Sequence, residues 1–229
     1  MSMSKFGKIG VASVIALTAA APAFAQSAEA IAATDLNIRS GPGPQYEVLG
    51  VIPGGESAAV DGCLAEASWC KVVFGGKTGW SSSDYLAVGI DEQAVALSTR
   101  PATVEVNSVT YENTAETKSD QTAGATAGAT IGALTAYAVG GPIGGIIAGG
   151  IIGGAAGSAA VEPTTETVTY VTTNPVEPVY LDGEVVVGAV VPQNVTTYEV
   201  PQDGLRYATI NGQTVVVDTQ TNAIVQVIR

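Results

Sequence analysis

The chain has 229 residues with 21 acidic side chains against 9 basic ones, a formal charge of −12. That balance repels nucleic-acid phosphates, so no nucleic-acid partner is expected. Histidine is absent, which removes the commonest general base, the commonest metal ligand and every Ser-His or Cys-His pair. A non-enzymatic chain with no catalytic residue, no metal and no cofactor is therefore expected. A wall hydrolase working through carboxylates alone is the remote alternative.

Residues 1–25 have the three parts of a secretory signal peptide. Lys5 and Lys8 form the positive end, Ile9 to Ala21 an apolar run of 13 residues, and Ala23-Phe24-Ala25 the small–x–small cleavage pattern. The run is shorter than the ~20 residues needed to span a bilayer. Export is expected, to the periplasm, with outer-membrane association or an extracellular location as further options. Cleavage would remove Lys5 and Lys8 and take the charge from −12 to −14.

A first module is expected over residues 32–88. Leu36 and Ile38 alternate with Asn37 and Arg39, the pattern of a half-buried strand with its polar residues outward. Gly41-Pro42-Gly43-Pro44 must be a loop. Strand-like runs follow at 46–52, 57–64, 69–74 and 78–81, so five short strands make a small bent barrel. The order Leu36-Asn37-Ile38-Arg39-Ser40-Gly41-Pro42, Gly50-Val51-Ile52, Trp69-Cys70-Lys71-Val72, Gly79-Trp80 and Tyr85-Leu86 resembles the bacterial SH3 domain family. The resemblance implies a small β-barrel of an exported protein, used to bind cell-wall polymer or peptide. It also implies that Trp80 packs beneath the barrel. Ser81 departs from the family pattern, where a hydrophobic residue follows Gly-Trp.

Cys63 and Cys70 are the chain's two cysteines, and in an oxidising compartment they are expected to pair as a structural disulfide. Tyr46 and Trp69, both near loops, are the candidate ligand-binding residues, as aromatic faces for a sugar or peptide.

Residues 89–120 are rich in Thr, Ala and acid and read as an extended linker. From 121 to 161 no residue carries a charge. There Gly124, Gly128 and Gly132 recur every four positions, as do Gly140 and Gly144, and Gly141, Gly145, Gly149, Gly153 and Gly157. On a helix such a series forms a smooth stripe that lets another backbone approach closely. The pattern resembles the glycine-zipper segments of bacterial envelope proteins, and Gly140-Gly141-Pro142 would divide it into a helical hairpin. Glycine costs about 1 kcal/mol per position in a helix, so the hairpin needs a partner, which is a membrane, another copy or the chain's own domains; the alternative is a flexible Gly-rich spacer.

Residues 162–178 read as a second linker, rich in Thr, Pro and Glu. A C-terminal β domain is expected over 179–229, with strand-like runs at 184–191, 194–200, 205–210, 214–218 and 223–228. Asn211-Gly212 is a two-residue hairpin signal. The segments Gly188-Ala189-Val190-Val191-Pro192, Tyr198-Glu199-Val200-Pro201, Arg206-Tyr207 and Val215-Val216-Val217-Asp218 resemble the domain of unknown function family 1236, as does Ile224-Val225-Gln226-Val227-Ile228. That resemblance implies export and nothing about chemistry. Arg206 and Asp218 are weighed as a polar site and read as solvated strand-end charges.

The chain is thus expected to be mainly β: an SH3-like barrel, a central Gly-rich hairpin and a small C-terminal meander. The function that follows is a non-catalytic envelope binding and scaffold protein, with the zipper mediating membrane association or self-assembly. The alternative is a structural self-assembling stress or biofilm protein.

Overall fold

The computed structural model describes residues 28–65, 68–111, 134 and 161–229. The leader and the glycine stripes lie outside the described residues.

Eight strands form the first sheet: β1 (Ala28–Ala32), β2 (Leu36–Arg39), β3 (Val48–Ile52), β4 (Ser57–Cys63), β5 (Trp69–Phe74), β6 (Lys77–Ser82), β7 (Leu86–Ile90) and β8 (Gln93–Ala96). Their order is β3-β2-β6-β5-β4-β1-β7-β8. Leu36, Ile38, Ile52, Val60, Val72 and Leu86 fill the interior. Gly79 lets β6 cross close over β2: a Cβ there would lie 2.5 Å from the Arg39 carbonyl oxygen. Trp80 follows, buried as expected.

Two departures from the sequence reading enlarge this module. Residues 28–32 add β1, whose small side chains Ala30 and Ala32 fit inside the sheet. Residues 93–96, within the stretch expected as a linker, pair with β7 as β8. The β7–β8 turn is built from Asp91 and Glu92, at φ of 49° and 64°. Both therefore sit in the left-handed region that a two-residue hairpin requires, without the Gly or Asn that usually signals it.

The second linker is also corrected. Residues Thr165–Thr173 form helix α1, capped by Thr164, whose side chain accepts from the Thr167 N–H. Glu166 sits in the positively polarised first turn. Val171 and Thr167 are buried. The hydroxyls of Thr169, Thr172 and Thr173 donate to carbonyls four residues back.

The second sheet contains β9 (Pro178–Val179), β10 (Tyr198–Glu199), β11 (Leu205–Ile210), β12 (Gln213–Asp218) and β13 (Ile224–Ile228). Strands β11, β12 and β13 form the expected meander, and β9 and β10 pair with the free edge of β11 at different positions. Asn211 and Gly212 take the positive φ values foreseen, 50° and 76°. The 184–191 run is not a strand. It is a buried irregular segment turning at Gly188 (φ 91°) and touching the sheet through the Val190–Ala223 bridge. The 194–200 run shortens to the two residues of β10.

One apolar cluster runs through both modules, joining Leu36, Ile38 and Ile52 to Val185, Val186, Ile210 and Val215. Leu134, from the middle segment, belongs to it too, and its N–H donates to the Asp182 carbonyl at 2.8 Å.

Candidate functional site between the modules

β2 was expected to be half-buried, yet Leu36, Asn37, Ile38 and Arg39 are all at most 1 % exposed. The C-terminal module covers the face that alternation assigned to solvent. A shift in β2–β3 register falls between Ile38 and Arg39, and such bulges re-aim side chains.

Arg39 has five N–H donors, and each finds an acceptor. Nε donates to Glu184 Oε2 at 2.7 Å, and Nη2 donates to Glu184 Oε1 and, at 3.3 Å, to Gln213 Oε1. Nη1 donates to the carbonyls of Pro44 at 2.9 Å and Tyr46 at 2.8 Å. One guanidinium thus holds the 40–47 loop of its own module and a carboxylate 145 residues away. Glu184 Oε1 also accepts from Asn37 Nδ2 at 2.9 Å and from the Val185 N–H. Asn37 Nδ2 reaches Gln213 Oε1 at 3.0 Å, while its Oδ1 has no hydrogen-bond partner among the described residues. The Arg39–Glu184 pair is buried and bidentate, with further donors on the carboxylate, the geometry in which an ion pair recovers its desolvation cost.

Two further clasps flank it. Arg229, near the C-terminus, pairs with Asp35 at 3.5 Å and donates to the Asp35 carbonyl. Burial pulls the Arg229 pKa below its usual value, with Asp35 and Glu184 opposing that shift. Asn211 works as a short stretch of backbone: Oδ1 accepts from the Leu181 N–H at 2.9 Å and Nδ2 donates to its carbonyl at 3.0 Å.

Above the network lies a groove of about 660 Å³ lined by Tyr46, Leu49, Tyr180, Asn211, Gln213 and Arg229, among others. Leu49 is 39 % exposed. The groove mixes apolar surface with amide and guanidinium donors, at a size typical of ligand sites.

The expected binding residues do not come together as a platform. Tyr46 borders the groove but is 4 % exposed. Its ring lies against Gly41, where a Cβ would collide with it, and meets Tyr111 edge-on at 5.9 Å. Trp69 is buried in β5 opposite Ser82. Cys63 and Cys70 form the disulfide, across the β4–β5 pair. Ser81, the departure from the family pattern, is buried and its hydroxyl donates to the Asn37 carbonyl at 2.8 Å. The ten zipper glycines lie outside the described residues. Arg206 is half-exposed and 3.8 Å from Glu199. Asp218 instead caps its own turn: burial tends to raise its pKa, but bonds from Thr221 and Gln220 outweigh that and lower it.

Sequence reasoning missed Asn37, Arg39, Glu184 and Gln213. A strand that alternates apolar and polar looks solvent-facing, and no local signal links positions 39 and 184. Among the described residues no group of three or more His, Cys, Asp or Glu could hold a metal ion, and no helix is long and apolar enough to cross a membrane.

Comparison with known proteins agrees with the two modules. One curated relative, named "Putative N-acetylmuramoyl-L-alanine amidase YrvJ" from Bacillus subtilis (strain 168), is 44 % identical over 55 residues, 24 % of this chain and 10 % of the relative. The chain therefore spans about a tenth of that protein's length. Residues 34–87 match the bacterial SH3 domain family and residues 170–229 match the domain of unknown function DUF1236. The chain carries a bacterial SH3 domain followed by a DUF1236 domain.

Proposed function

We propose that this chain is a non-catalytic, exported binding and scaffold protein of the cell envelope. Its SH3 module engages wall polymer or a peptide of the wall. The observation that carries the reading is the bacterial SH3 domain itself, with a ligand-sized groove along its junction with the second module. The relative's printed name, which refers to a muramoyl–alanine linkage, points to the same polymer. The absence of histidine from the sequence supports a binding role over catalysis. The disulfide fits an oxidising compartment, the periplasm or beyond. The uncharged 121–161 segment, with its four-residue glycine spacing, is assigned to membrane association or self-assembly.

Fractionation of the native envelope tests this, comparing the full chain with a deletion of residues 124–160. The full chain should pellet with wall or outer membrane and resist salt. The deletion should lose membrane association but still bind purified wall. A groove variant, Leu49→Glu, should weaken wall binding by about fivefold or more, the effect of losing roughly 1 kcal/mol at an interface. Full-length protein that stays soluble and ignores purified wall would end the proposal.

A further inference from the structure

A second concavity, of about 510 Å³, opens at the other end of the first module beside the disulfide. It has three walls. The first is the end of β4 with the disulfide hairpin, Cys63 to Ala65 and Ser68. Residues 106–108 make the second, fastened by the Cys63 N–H to the Asn107 carbonyl at 2.8 Å and the Val109 N–H to the Cys63 carbonyl at 3.0 Å. The third is the 3-10 turn Leu97–Thr99 with Ser98 and Arg100, joined to Ser83 through the Ser98 N–H.

Four serines (68, 83, 98 and 108) line this pocket, and Arg100 carries the one charge among its described lining residues. Arg100 Nη1 donates to the Leu97 carbonyl at 2.6 Å, which fixes the head of the side chain. It makes no ion pair among the described residues, although Glu105 lines the adjoining hollow. A positioned guanidinium with spare donors amid hydroxyls suits a planar monoanion. A single cation in a chain of charge −12 is poorly matched to a phosphate dianion.

We propose that this pocket binds a carboxylate carried on a small polar ligand, with Arg100 as its anchor and the serine hydroxyls around it. The proposal deepens the wall-binding reading and rests on it for two sources, an acidic sugar or the terminal carboxylate of a peptide.

The experiment is calorimetric titration of the chain from residue 26 onward with N-acetylmuramic acid, an N-acetylated alanyl-alanine dipeptide, and the methyl ester of each. Binding of the sugar acid, the dipeptide or both supports the pocket and identifies the source. Each ester should bind about tenfold to a hundredfold more weakly than its acid, the effect of a charge-assisted hydrogen bond worth roughly 1.5–3 kcal/mol. Arg100→Gln should lose as much, and Arg100→Lys should fall between. The ester comparison uses the unaltered protein, so it decides the matter even if the variants fold poorly. Equal binding of acid and ester, unchanged binding by folded Arg100→Gln, or no binding of either acid at millimolar concentration would overturn the proposal. Sedimentation of the same protein with purified wall reads the broader function separately. Wall binding without a carboxylate effect sinks the pocket alone.

Discussion

Replacing Arg39 with Met should be the most damaging single change at the junction of the modules. The substitution keeps volume but withdraws five hydrogen bonds. Glu184, 2 % exposed, would keep, among the described residues, only Asn37 and the Val185 N–H as donors, and the Pro44 and Tyr46 carbonyls would each lose a partner. Breaking a buried pair from one side costs about 3–5 kcal/mol, a large share of the ~5–15 kcal/mol that holds a domain together. Urea unfolding of the chain from residue 26 onward should show it as a midpoint lowered by about 1–2 M, for a slope near 2–3 kcal/mol/M. The double variant Arg39→Met with Glu184→Leu should regain much of the loss, because no buried charge is left alone. A single-variant effect under about 1 kcal/mol, or additive behaviour in the double variant, would refute the account. So would wild-type modules that unfold in two independent transitions, since the shared core predicts one.

Replacing Cys63 and Cys70 with Ser should cost about 2–3 kcal/mol by freeing a short loop in the unfolded chain, read as a lower melting temperature of the chain from residue 26 onward. Converting Asp91-Glu92 to Asn-Gly should stabilise the β7–β8 hairpin by about 1 kcal/mol or more, because both positions are left-handed; thermal melts test it. Asp218 is held below its usual pKa by its bonds to Thr221 and Gln220, despite opposing burial. Its contribution to stability is therefore present above the unfolded value of about 3.9 and lost as pH falls through the folded one. A melting series from neutral to acid pH should show a shallower acid decline for Asp218→Asn than for wild type.

Much of the fold was legible where local chemistry decides it. The Trp69–Phe74 run is β5 residue for residue, and Asn211-Gly212 makes its turn because both residues tolerate positive φ. Three elements were misread, two through tertiary packing and one through an unusual turn. The Val-rich 184–191 run reads as a strand, but it is buried as a turn held by the Gly188 and Val191 N–H groups, which donate to the Ile224 and Asn222 carbonyls, and by the Val190–Ala223 bridge. The Thr-rich 165–173 stretch has poor intrinsic helix propensity, and capping by Thr164 with burial of Val171 makes it helical. The β8 hairpin hides behind an Asp-Glu turn that carries no glycine signal. At the candidate site, Tyr46 was found near the groove, but the residues that build the junction were not. Arg39 and Glu184 become partners only when two modules meet across 145 residues of chain. The pocket beside the disulfide was hidden because its Arg100 and Asn107 walls fall in a stretch that reads as linker.

The central claim is that this chain binds the cell wall without cleaving it, and both halves can be read in one tube. The chain from residue 26 onward would be incubated with dye-labelled, purified wall sacculi and centrifuged. The account predicts protein in the pellet, saturating with added wall, and no release of dye above the protein-free control. Protein left in the supernatant, or dye released in proportion to protein and time, would contradict it.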